Sequence, residues 1–399
     1  MDATITTDRL LYDKVLESTP RGERLKMCLQ CGSCSGICPY GYAMDFTPHM
    51  LIAQLRAAEI EPILKSDTIW LCASCYACTN VCPVQIPLTA GVLTTFKAEL
   101  LTKGKVPSEL QVALENTRRY GNTLGESPRK RADWAGGLAT TVPVMAVNRK
   151  PVDVLWYVGD YASYHLRVQS VSKALAAIFQ ALGINFGILG PEENNDGDFQ
   201  CMTGESGLYE MMAIKNGKTF RKYQFREIVT TDPHAYNIFK NGYPSLGHPF
   251  PVKHHTQFLA ERIDQLKPLF KREIKLKVTF HDPCYLGRVN SNNVYEEPRA
   301  LLTAIPGVEF IEMPHNRTNT LCCGGGGGGN WLDGFTWEKT HARMSEWRVQ
   351  EADEVGAQVL VVACPFETPR FEDAIKSIGI NKGLIVKDIA ELLAEAMTG

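Results

Sequence analysis

Eight of the 13 cysteines fall in two copies of one pattern. "CLQCGSCSGICP" begins at Cys28 and "CASCYACTNVCP" at Cys72, and both read C-x2-C-x2-C-x3-C-P. Three thiolates two residues apart wrap a short loop around one face of a [4Fe–4S] cubane. A fourth, followed by proline, turns away toward a neighbouring cluster. The spacing therefore predicts one cubane on Cys28, Cys31, Cys34 and Cys82, and a second on Cys72, Cys75, Cys78 and Cys38. Structural zinc also uses C-x2-C pairs, but it takes four ligands per ion and leaves the third cysteine and the proline-marked fourth without a purpose.

A second group lies far along the chain: Cys284, the vicinal pair Cys322–Cys323, and Cys364, spaced C-x37-CC-x40-C. The pair runs into six glycines and stops at Trp331, in "LCCGGGGGGNW". Ordering such a run is costly, because glycine loses the most backbone freedom on folding. The reading adopted is that four thiolates from three loops converge on one iron–sulfur cluster. The glycines would then let main-chain N–H groups approach its sulfides and leave a surface for docking. Cys201 stands alone and reads as structural.

These residues need elements to hold them. Between the two runs, "DFTPHMLIAQLRAAEIEPIL" reads as a helix, with Met50, Leu51, Leu55 and Ile60 at helical spacing. Residues 103–150 are polar, glycine-bearing and weakly periodic, and read as a linker. From Pro151 onward strands and helices alternate. "VDVLWYVGD", "INFGILG" and "REIVTTDP" are strands of a first half; "LKVTFHDP", "VEFIEMP" and "QVLVVACP" are strands of a second. Apolar strands separated by helices imply parallel sheets covered on both faces, and the recurrence implies a duplication. The late cysteines follow the second half's strands, at the carboxyl edge where such sheets place their sites.

Nearly the whole chain resembles the iron–sulfur subunits of the heterodisulfide reductase family, on the paired ferredoxin-type runs and the "CCG" motif. The resemblance implies a helical two-[4Fe–4S] ferredoxin-like domain (residues 1–102) and the linker (103–150). Two α/β CCG domains with parallel sheets follow, a degenerate one (151–270) and one with an iron–sulfur site (271–399). The fold class is thus α plus α/β. The family's CCG repeat carries C…CC…C-x-x-C, whose five cysteines can hold a noncubane [4Fe–4S] cluster. Here the last motif reads "CPFE", with Glu367 in the fifth place. A carboxylate is a harder ligand than a thiolate. Four cysteines with a more conventional cluster, an iron bound through Glu367, and Glu367 as a proton source all stay open. In the first half Asp160, Asn195, Asp196, Asp232 and Ala235 occupy the motif positions, so that half reads as a scaffold without a cluster, with a hard-metal site on Asp160, Asp196 and Asp232 as the lesser alternative. Cys322, Cys323 and Glu367 are the candidates for catalysis. His234, His281 and Arg288 lie near the motifs and read first as structural or surface residues.

A formal net charge of −2 gives no basic footprint and argues against nucleic acid as the main partner. No apolar run has membrane-span length, and the start of the chain lacks the pattern of a signal peptide. The cytoplasm is the expected location, with a peripheral seat on the inner membrane face, through partners, left open. The expected role is electron transfer between two cubanes and a third [4Fe–4S] cluster, cubane or noncubane, in a larger oxidoreductase. The family implies a flavoprotein subunit as a partner and, in some members, a quinone-reactive or cytochrome b subunit. Reduction of a disulfide or a protein-bound thiol substrate at the third cluster is the alternative.

Overall fold

The computed structural model describes residues 3–138, 141–380 and 383–398. The chain divides into two compact units, neither of them continuous in sequence. Unit 1 comprises Met1–Gln111, Phe199–Gly207 and Gly324–Met344; unit 2 comprises Val112–Asp198, Leu208–Cys323 and Ser345–Gly399.

Unit 1 is helical. Its core gathers Val15, Leu25, Leu55, Ile60, Ile63, Ile69, Val92 and Phe96, all fully buried. The stretch read as one helix between the cysteine runs forms two, Pro48–Ala57 and Glu61–Lys65. Pro48 opens the first at a position where its missing N–H costs nothing. Ala58 ends it in the left-handed region at φ 56°, and Pro62 starts the second in the same way.

Unit 2 contains two parallel four-stranded sheets with the same topology. The first has the order β2-β1-β3-β4, from β1 (Val154–Tyr157), β2 (Phe186–Ile188), β3 (Glu227–Thr230) and β4 (Val252–His254). The second has the order β6-β5-β7-β8, from β5 (Lys277–Phe280), β6 (Glu309–Phe310), β7 (Val359–Val362) and β8 (Ile385–Asp388). Every strand pair is parallel. β4 and β8 escaped the sequence reading, because edge strands this short and half-polar carry little pattern. One core spans both halves, from Val154 and Trp156 to Val278, Phe280, Val359 and Val361. Trp156 packs edge-on to Phe179 with ring centroids 5.6 Å apart, a geometry that adds to area burial.

Residues 103–150, read as a linker, hold the helix Ser108–Tyr120 and place Arg131 and Trp134 in the interior. A polar segment bearing one buried guanidinium and one indole has no period for sequence reasoning to detect.

Candidate metal centres

In unit 1 the two cysteine runs fold alike. Gln30 and Ser74, each two residues after the first cysteine, are left-handed at φ 54° and 50°; Gly32 and Tyr76, two further on, are left-handed at 78° and 59°. The same two reversals turn the thiols of each run toward one side. Cys28, Cys31, Cys34 and Cys82 line one cavity; Cys38, Cys72, Cys75 and Cys78 line another, and Cys78 borders both. Gln30 Nε2 donates to Cys28 Sγ at 3.2 Å, and the Ser74 N–H to Cys72 Sγ at 3.4 Å.

None of the 13 cysteines is in a disulfide. Burial, then the nearness of Cys75 and Cys72, pushes the Cys38 thiol up to about 12. Burial likewise raises Cys78 well above its ordinary value. Thiols this crowded and desolvated cannot all ionise without a positive centre among them. The donor set therefore fits a soft metal group bound by four sulfurs in each cavity.

One cation in this region was invisible to pattern reading. Lys97 is buried, and its Nζ donates to Gly327 O at 3.0 Å and Cys72 O at 3.5 Å. This changes the meaning of the glycine run. Gly324–Gly329 belongs to unit 1, and a Cβ on Gly327 (φ 58°) would sit 2.1 Å from Ser74 Oγ. One on Gly328 would lie 2.9 Å from Leu110 Cδ1. The bare backbone is thus required where the run packs beside the second cysteine run. Gly327→Ala is expected to cost about 2–3 kcal/mol, from overpacking and an unfavourable φ. Denaturant unfolding should show the loss, and iron bound near Cys72 should become more labile to chelators.

In unit 2 the late cysteines are all buried. Cys284 follows β5, Cys322 and Cys323 follow β6, and Cys364 follows β7, so three strand ends meet where the strand order reverses. Cys284 Sγ lies 3.9 Å from Cys322 Sγ. Hydrogen bonding from Cys322, then from His281, holds Cys323 well below the usual thiol range. Burial pushes Cys364 well above it. His281, read from sequence as structural, stands at the site: its Nε2 is 3.1 Å from Glu367 Oε1, and both residues converge with Cys323. Arg370 Nε donates to Cys323 O at 2.6 Å. Arg288 is spent on carbonyls, donating to Thr320 O at 2.7 Å and Thr318 O at 3.1 Å, which fixes the approach to Cys322.

Among the described residues the first half offers no matching thiol site. Asp160 and Glu193 are paired with Arg131, at 2.8 and 2.9 Å, all three side chains buried. Asp160 also accepts from Asn195 Nδ2 at 2.8 Å and from the Thr123 N–H at 2.9 Å. A guanidinium from residues 103–150 thus neutralises both buried carboxylates. His234 Nδ1 bonds Asp198 Oδ2 at 2.8 Å, and Asp232 Oδ1 accepts the His234 N–H at 2.8 Å. The His234 ring lies 3.9 Å from that of Tyr285, beside Cys284.

Residues 24–86 match the 4Fe-4S dicluster domain and residues 278–366 the cysteine-rich domain. The chain is an iron–sulfur protein that joins these two modules. Among its relatives is the "Probable iron-sulfur-binding oxidoreductase FadF" of Bacillus subtilis, 34% identical over 90% of this chain and 49% of that protein. The "EtfAB:quinone oxidoreductase" of Syntrophomonas wolfei is 29% identical over 94% of this chain and 58% of that protein. One subunit of the dihydromethanophenazine:CoB--CoM heterodisulfide reductase of Methanosarcina barkeri is 28% identical over 77% of this chain and 73% of its own length. The chain spans about half the length of the first two. Among the described residues no helix is long and apolar enough to cross a membrane.

Proposed function

We propose that the chain is the electron-transfer arm of a multi-subunit oxidoreductase, with cubanes on Cys28/Cys31/Cys34/Cys82 and Cys38/Cys72/Cys75/Cys78. A third cluster sits on Cys284/Cys322/Cys323/Cys364. The observation that carries this reading is the sorting of eight sulfurs into two adjoining cavities with Cys78 on both. When bound, such clusters store and pass single electrons at potentials set by hydrogen bonds and exposure. The protein's own contribution is legible. Donors such as the Ser74 N–H lower the electron density on sulfur. Lys97 places a fixed ammonium beside the second run, and apolar walls exclude water.

A flavoprotein donor and a quinone-side acceptor fit this reading and agree with how the relatives are named. Disulfide reduction, suggested by the relationship to a heterodisulfide reductase, ranks second. The four late cysteines are only 1–7% exposed, which gives a bulky disulfide no direct approach.

The test is electron paramagnetic resonance on anaerobically purified full chain. Dithionite should develop two interacting cubane signals, while the third centre should give a separate signal that adding a thiol to oxidised protein leaves unchanged. A thiol-dependent signal would promote the disulfide reading. Colourless, zinc-bearing protein would sink both.

A further inference from the structure

We infer that Glu367 is an oxygen ligand of the metal centre formed by Cys284, Cys322, Cys323 and Cys364, with His281 and Arg348 holding its carboxylate in place. The inference rests on the proposed third cluster and specifies its donor set.

Three groups that could ligate a metal come within 4.8 Å of one another: His281, Cys323 and Glu367, all buried. Hydrogen-bond chemistry sorts them. Arg348 Nε donates to His281 Nδ1 at 3.0 Å. The rest of that guanidinium is fixed by donating to His315 O at 2.7 Å, to Phe280 O at 3.4 Å and to Glu351. A guanidinium has no acceptor atom, so Nδ1 must present its lone pair. The ring proton then sits on Nε2, 3.1 Å from Glu367 Oε1, in a group that converges with Cys323. A protonated nitrogen cannot bind a metal. His281 is therefore not a ligand itself: its Nε2–H lies 3.1 Å from Glu367 Oε1 without an aligned hydrogen bond, a polar neighbour of the kind that supports metal-binding side chains.

Glu367 is left with an open hand. Its residue is 1% exposed, Oε1 faces His281 Nε2 at 3.1 Å, and Oε2 has no hydrogen-bond partner. Its backbone N–H donates to Cys364 O at 3.1 Å, a single turn that ties the carboxylate's anchor to the last cysteine. A buried carboxylate with one bare oxygen is costly unless a cation neutralises it. Cys323, which converges with it, and Cys364, one turn before it, mark where a metal's charge would be. An oxygen among thiolates makes one iron harder than the others, and that iron is then spectroscopically distinct.

The full chain is reconstituted anaerobically with 57Fe and read by Mössbauer spectroscopy, alongside Glu367→Ala, Glu367→Cys, His281→Gln and His281→Ala. The wild type should show, beyond the cubane signals, a four-iron centre with one iron of higher isomer shift than the other three. Glu367→Ala should abolish the odd iron's distinct isomer shift, with the cubane signals unchanged. Glu367→Cys should keep four irons and bring the odd one to sulfur-like parameters. His281→Gln, which keeps an N–H near the Nε2 position, should preserve the wild-type spectrum, and His281→Ala should broaden or shift it. A wild-type centre whose irons are all alike, or an odd iron unchanged in Glu367→Ala, overturns the inference and leaves the third cluster standing. A wild type with no iron beyond the cubanes overturns the cluster itself.

Discussion

Cys322→Ser lowers the iron of anaerobically reconstituted protein from about twelve atoms per chain to about eight, the content of the two cubanes alone. Cys322 is 1% exposed and lies 3.9 Å from Cys284, so its sulfur points into the late-cysteine site. Serine presents a hard oxygen in the same volume, and at neutral pH it does not ionise as a thiol does. Unit 1 has its own eight cysteines in its own cavities. Iron and sulfide assays, with the cubane resonance signals as an internal standard, read the result. Unchanged iron would remove Cys322 from the donor set. Loss of nearly all iron would mean that the centres do not assemble independently, contrary to the division of sulfurs argued above.

How legible the site was follows from the kind of signal each residue leaves. Cysteine runs are written in spacing, and the repeated left-handed turns at Gln30/Ser74 and Gly32/Tyr76 are the physical form of that repeat. The strands that carry the late cysteines are apolar runs, so β1 to β3 and β5 to β7 were visible. β4 and β8, at the sheet edges, were too short to read. What sequence alone could not supply is pairing between distant polar residues. Lys97 bonding Gly327 and Arg348 fixing His281 link positions 230 and 67 apart, and no local pattern records them. The hexaglycine shows the same limit. Its composition announced a close approach, but only the fold shows that the approach is to Ser74 and Leu110.

Arg131 gives the second large effect. Arg131→Met is expected to destabilise unit 2 by about 3–5 kcal/mol, the usual cost of removing one partner from a buried ion pair. The guanidinium donates to Asp160, to Glu193 and, at 3.2 Å, to Gly121 O. Glu193 in turn accepts the N–H groups of Val158 at 3.0 Å and Gly159 at 2.9 Å, at the carboxyl end of β1. Take the cation away and two carboxylates remain desolvated beside that strand end. The penalty comes mostly from the charges left behind, and this yields a sharper test than the single variant. Arg131→Met combined with Asp160→Asn and Glu193→Gln removes the orphaned charges, and should recover more than half of the lost stability. Urea unfolding of anaerobic protein, followed through a signal of unit 2, compares the three chains. If the triple variant is no more stable than the single one, Arg131 acts through packing, and the account of the first half as a cluster-free scaffold neutralised by its own arginine fails.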